Sequence, residues 1–245
     1  MNKATLAPTP GAKVIYLIKR KSSTSRSELV AHWYANHMPP VIAAQEKLKA
    51  REANHARRYI VSLFESGTTG EPLMFDGMAQ LWWQQPVPKP DPPHGTAPAD
   101  SFQEKAEPYM PWPTREYVVM DGALASDPLT LNAPYPSTRS GFFKVSFLVA
   151  AQPGTDYDAF FAHWLNKQAP NVRGEMEKAG GLRYVVNHSL APQAEAFAGL
   201  AELYFPSATE WHGFRKSVQP DGMEQWMDAK RTLVFHGDTD MIGIP

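Results

Sequence analysis

The chain of 245 residues has no cysteine, which excludes disulfides, thiolate metal sites and cysteine nucleophiles. It also lacks an excess of charge of either sign, with 24 Lys and Arg against 25 Asp and Glu. Such a balance gives no electrostatic footprint for nucleic acid or an anionic membrane, so neither is expected as a partner. Long apolar runs are missing too. No segment approaches the ~20 apolar residues of a membrane span, and Met1 to Pro10 has no continuous apolar stretch of the signal type. The sequence therefore reads as a soluble, cytoplasmic protein that handles small neutral or apolar molecules. Phosphate loops, dinucleotide glycine fingerprints, Gly-x-Ser-x-Gly elbows and zinc-ligand spacings are likewise absent.

What the chain does have is proline (23 residues) and aromatic side chains, with seven Trp, nine Tyr and twelve Phe. The aromatics suit an apolar cavity as well as an ordinary core. The prolines gather in loops, above all in Gln84 to Pro98, a stretch too stiff and polar for core that reads as a lid or a partner surface. Ala31-His32-Trp33-Tyr34-Ala35-Asn36-His37-Met38-Pro39-Pro40-Val41 returns in altered form as Ala162 to Val172, with Gln168 in the place of His37.

The elements around the two stretches repeat as well. Lys13 to Arg20 reads as a strand, Ser25 with Glu28 as the capping box of a helix, and Pro39-Pro40 as a bend or break in it. A polar helical stretch, Ala43 to Arg57, follows. Next come strands over Arg58 to Phe64 and Phe75 to Trp83 around a turn at Gly67 to Pro72, a short helix from Ser101 to Lys105, and a strand from Arg115 to Asp121. The second half gives strands over Phe142 to Ala150, Leu182 to Leu190, Phe197 to Phe205 and Thr232 to Gly237, with helices over Asp156 to Lys178 and Thr209 to Arg231. Paired positions such as Lys13 and Lys144, or Tyr59 and Tyr184, support a duplication. The expected organisation is one repeat over 1–125 after a loose leader, a proline-rich linker over 126–140 and a second repeat over 141–245. Each repeat has the split βαβ order of ferredoxin-like folds.

His32-Trp33 followed by His37-Met38-Pro39, on a helix after a Lys-Val-opened strand, resembles the EthD domain of the dimeric α/β-barrel superfamily. The resemblance implies an α+β fold in which two ferredoxin-like repeats pair their antiparallel sheets into a barrel within one chain. That makes a monomer, or a weak homodimer through the Gln84 to Pro98 arm, the expected state. Relatives include dehydratases, polyketide cyclases, metal-free monooxygenases and haem-degrading enzymes, and fold alone does not choose among them.

His37 is the first candidate for chemistry. At helical spacing it extends the apolar stripe of Leu29, Val30 and Trp33, where a neutral imidazole can act as general base; the competing reading is a core histidine bonded to a backbone carbonyl. Asp76, matched by Ala198, is the candidate to orient that base, and Tyr59 the candidate hydroxyl donor. Trp33, Trp82 and Trp83 would form an apolar wall, with His32, shared with His163, at its rim as a substrate contact or a structural group. His32 and His37 lie about 140 degrees apart on a helix, which spoils metal capture, so no metal or cofactor is expected; for haem, His37 or His236 could serve as axial ligand. The expected activity is a cofactor-independent lyase, of dehydratase or cyclase type, on a small hydrophobic or aromatic carbonyl compound. The alternatives are a cofactor-independent monooxygenase and a non-catalytic binding barrel. With Gln168 in the second copy, the first pocket is expected to work and the second to be structural.

Overall fold

A computed structural model describes residues 6–65, 73–122, 124 and 134–245. The first five leader residues, the turn at Gly67 to Pro72 and most of the 126–140 linker lie outside the described residues. In chain order the elements are β1 (Ala12–Ile18), α1 (Arg26–His32), a π-helical turn (Trp33–His37), α2 (Met38–Ala50), β2 (Ala56–Leu63), β3 (Gly77–Trp83), α3 (Ser101–Lys105), β4 (Trp112–Asp121) and β5 (Ser137–Arg139). They continue with β6 (Phe143–Val149), α4 (Tyr157–His163), a second π-helical turn (Trp164–Gln168), α5 (Ala169–Lys178), β7 (Arg183–Ser189), β8 (Gly199–Phe205), α6 (Ala208–Ser217), a 3-10 turn (Met223–Gln225), β9 (Leu233–Gly237) and β10 (Asp240–Ile244). Among the described residues no helix is long and apolar enough to cross a membrane.

The chain divides into two units. The His37 unit is built mainly on Gly11–Pro113 and adds β5 and Gly237–Pro245. Its strands run in the order β5-β10-β2-β3-β1, each antiparallel to its neighbour. The Gln168 unit is built on Gly141–His236 with the greater part of β4, in the order β4-β7-β8-β6-β9. In it β4 forms an antiparallel ladder with β7, from Thr114 opposite Ser189 to Asp121 opposite Arg183.

Local chemistry explains most of these elements. The Ser25 side chain accepts from the Glu28 N–H at 3.2 Å and the Glu28 carboxylate accepts from the Ser25 N–H at 2.9 Å, which closes the foreseen capping box. Pro39-Pro40 does not break the helix as expected. The backbone widens into the π-helical turn, where the Met38 N–H reaches back to the Trp33 carbonyl, and the prolines then fall in the first turn of α2, where no N–H is needed. The same form recurs before Pro170, with the Ala169 N–H on the Trp164 carbonyl. Trp33 and Trp164 are each buried against a strand glycine. A Cβ on Gly77 would meet Trp33 at 3.3 Å and the Ser62 carbonyl at 2.6 Å, and one on Gly199 would meet Trp164 at 2.9 Å and the Asn187 carbonyl at 2.4 Å.

Three expectations need correction. Helix α2 stops at Ala50 rather than reaching Arg57, because Glu52 takes a left-handed conformation (φ 55°) that ends the helical path. Helix α6 stops at Ser217 rather than Arg231: Val218 is extended, Pro220 brings no donor, and Gly222 turns the chain at φ 95° into the short 3-10 turn. Strands β5 and β10 were not anticipated, and β5 lies within the stretch read as linker.

In the Gln168 unit, His188 on β7 is 4% exposed and stacks on Phe161 with ring centroids 4.1 Å apart, its Nε2 having no partner among the described residues. Burial, with Arg115 adding, pushes its pKa down from 6.5 to about 3. The unfolded chain takes up this proton near pH 6.5 and the folded chain resists it. The stability due to neutral His188 is therefore complete above pH 6.5 and drains away as pH falls toward 3. Urea unfolding at pH 7 and pH 4.5 should show about 2–3 kcal/mol more acid destabilisation in the wild type than in His188→Leu. Equal pH dependence in the two proteins would refute this account of His188.

Candidate functional site

The helical layer and the sheet of the His37 unit enclose a cavity of about 270 Å³, small beside the ~300–1,000 Å³ of most ligand pockets. Alternation along β3 turns Ala79, Leu81 and Trp83 toward it, and Tyr16, Ile18 and Tyr59 come from β1 and β2. The helical layer supplies Trp33, His37, Val41 and Gln45. The remaining wall is His94, Phe102, Gln103 and Tyr109, brought by the proline-rich excursion and α3.

His37 ends the π-helical turn, and its Nδ1 lies 2.6 Å from Oδ2 of Asp100. Asp100 is the N-cap of α3, where its Oδ1 accepts from the Gln103 N–H at 2.9 Å, so the carboxylate is fixed before it meets the imidazole. Desolvation raises the pKa of Asp100, but hydrogen bonds from His37, Gln103 and Phe102 outweigh it and hold the group below the ordinary carboxylate range. An ionised Asp100 accepts a hydrogen bond from Nδ1–H, and in that tautomer Nε2 is the nitrogen with the free lone pair. Nε2 has no hydrogen-bond partner among the described residues. Phe102 packs on the imidazole with centroids 4.5 Å apart.

Three tyrosines share the cavity, and burial raises the pKa of each, that of Tyr109 to about 12. All three are therefore neutral hydroxyls near neutral pH. Tyr109 Oη accepts from Gln103 Nε2 at 3.1 Å, and a hydrogen bond with Trp33 partly offsets the effect of burial on Tyr59. Oxygens that already accept leave their O–H protons for another acceptor. His94, opposite Tyr109 in an isolated bridge, has its pKa lowered by burial and by His37, so it is neutral as well.

Of the residues singled out in the sequence, His37, Tyr59, Trp33 and Trp83 meet at this cavity. Asp76 does not. It is 2% exposed, its Oδ2 accepts from the Arg20 N–H at 2.8 Å and its Oδ1 pairs with the Arg20 guanidinium, so both oxygens are committed away from His37. Trp82 points to the other face of β3, with Lys13 Nζ 4.7 Å above its ring. His32 is off the cavity, its Nδ1 2.7 Å from Ser101 Oγ. The partner missed in the sequence is Asp100. Its signal was the helix-starting spacing Asp100-Ser101-Phe102-Gln103, a cap that marks this aspartate as fixed in place. Among the described residues no group of three or more His, Asp or Glu side chains is arranged to hold a metal ion.

No family model matches the chain, and no curated protein sequence matches it. Solved structures do. An anthrone oxidase-like protein aligns with a TM-score of 0.55 and 13% identity over 96% of this chain and 94% of its own. A candidate monooxygenase from Fusobacterium nucleatum aligns at 0.49 with 8% identity, covering 95% and 94%. A haem-binding protein from Thermus thermophilus aligns at 0.48 with 11% identity, covering 95% and 92%. The first likeness, at 13% identity, shows the fold alone, an α+β arrangement of antiparallel strands and helices.

Proposed function

We propose that the His37 cavity performs general-base chemistry on a small hydrophobic or aromatic carbonyl compound, without a cofactor. The observation that carries this reading is the 2.6 Å contact of His37 with a capped, ionised Asp100 on the wall of an aromatic-lined cavity. His37 Nε2 takes the proton alpha to the carbonyl, Asp100 stabilises the imidazolium that forms, and the O–H groups of Tyr59 and Tyr109 donate to the enolate oxygen. In the lyase form the enolate electrons make the new C=C bond as a β-hydroxyl departs, and the imidazolium proton leaves with it as water. Trp33 and Trp83 shape the apolar wall. This reading treats the chain as a tandem of EthD-type ferredoxin-like repeats, supported by the recurring helix, π-helical turn and buried Trp over Gly.

The likeness to the anthrone oxidase-like protein supports a second reading, in which the same carbanion is oxidised by dioxygen. Both begin with one proton transfer, and one experiment addresses both. The protein is incubated in deuterated water with cyclic aryl ketones, 1-indanone and anthrone among them, while deuterium entry at the acidic methylene (alpha to the carbonyl in 1-indanone, conjugated to it across the ring in anthrone) is followed by mass spectrometry and oxygen with an electrode. Deuterium entry faster than in buffer supports base chemistry, and matching oxygen uptake selects the oxygenase. Exchange no faster than in buffer across the panel would sink both.

A further inference from the structure

We propose that the Gln168 unit carries a second ligand site, for an apolar aromatic molecule with one acidic head group. This inference is independent of the activity assigned to His37. The site is a cavity of about 570 Å³, roughly twice the volume of the other, walled by Phe147, Trp164, Leu203, Trp211 and Phe214. Gln168 lines it from the last position of the π-helical turn, the place that His37 holds in the other unit. An amide neither takes nor gives a proton near neutral pH, so this position suits holding a molecule rather than transforming it.

Two features specify the occupant. At the rim, Arg215 lies with its guanidinium carbon 5.6 Å from the Trp211 ring centroid, and no carboxylate among the described residues pairs with it. His236 stands nearby, in ring contact with Phe143 at 5.2 Å and Trp211 at 6.2 Å. Burial, then Arg215 and His212, lower its pKa, so it is a neutral ring with one N–H to offer. A guanidinium, that N–H and no opposing acid favour an anionic head. Among the other groups lining the cavity, Gln168 Oε1 and Trp211 Nε1 are buried with no partner among the described residues. A buried polar atom left unsatisfied is costly; a hydroxyl on the occupant would donate to Oε1 or accept from Nε1, and a ketone would accept from Nε1. Together these describe an aromatic carboxylate or sulfonate with a polar substituent on its ring.

The test uses 2-naphthoate and 2-naphthamide, which share an aromatic body and differ in charge, titrated calorimetrically into the full chain. 2-Naphthoate should bind about tenfold more tightly than the amide. Arg215→Gln, at an exposed position, should bring the two affinities together. Ala201→Trp, which fills this cavity, should abolish binding of both, whereas Ala79→Trp, in the His37 cavity, should leave them unchanged. Equal affinities in the wild type, no binding of either compound, or binding that survives Ala201→Trp and disappears in Ala79→Trp would each overturn the proposal. If Ala201→Trp fails to fold by circular dichroism, the Arg215→Gln comparison decides alone: a preference that persists overturns the site, and one that vanishes supports it.

Discussion

His37→Ala should lower kcat at least about 10²-fold on a substrate turned over by the wild type, equivalent to about 2.7 kcal/mol of transition-state stabilisation. KM should change little, because an imidazole that acts on a proton in flight contributes to the transition state more than to ground-state binding. Stability should hardly move. The Asp100 left behind is 18% exposed at its side chain and keeps its N-cap bond to Gln103, so no charge is stranded in the interior. Asp100→Asn separates positioning from architecture. Asparagine caps α3 as well as aspartate does, yet it cannot stabilise the imidazolium, so kcat should fall to a value between those of the wild type and His37→Ala with melting temperature preserved. Asp76→Asn is the contrasting variant and should leave kcat where it is, since Asp76 is bound to Arg20. A rate unaffected by His37→Ala would end the assignment of this residue as the base.

The largest effect on stability is expected from Arg139→Met. Arg139 on β5, Asp240 on β10 and Ser62 on β2 stand opposite one another across three adjacent strands. Asp240 is fully buried, with Arg139 Nη2 donating at 2.8 Å and Ser62 Oγ at 2.7 Å. Removing the guanidinium leaves an uncompensated carboxylate in the interior, and about 3–5 kcal/mol of stability should be lost, read from the urea midpoint. Arg139→Met combined with Asp240→Leu should recover most of that loss, because a buried ion pair as a whole is worth little against apolar residues of similar volume. A double variant no more stable than Arg139→Met would show that the strands depend on the pair for more than mutual neutralisation.

Periodic segments were legible in the sequence. The capping box at Ser25, the inward stripe through Trp33 and His37, and the helix at Ser101 to Lys105 follow from local rules that act within one turn. Alternation along β3 also implies that Trp82 and Trp83 cannot both face one cavity, although it does not say which does. The partner of His37 was out of reach for a different reason. Asp100 lies 63 positions away at the end of a proline-rich loop, and nothing periodic reports where such a loop lands. The contrast between Asp76 and Ala198 drew attention to a carboxylate that is bound to Arg20 rather than to His37, since a residue unique to one half can serve an ion pair as readily as a reaction. His94 was overlooked on similar grounds, because the excursion that looked too polar for core contributes cavity wall. Strand β5 was missed because three residues are too few to establish a pattern, and β10 because Gly243 interrupts its short apolar run.

The path of the chain has a consequence for how the molecule is made. On the ribosome β2 emerges early, but its outer neighbour β10 arrives only after the polypeptide has lengthened by 178 positions, the separation of Ser62 from Asp240. Until then one side of β2 presents unpaired N–H and C=O groups, open to pairing with another nascent chain. Closing so long a loop is also slow. Synthesis rate and chaperone supply, more than the stability of the finished protein, should therefore set the yield of correctly assembled molecules.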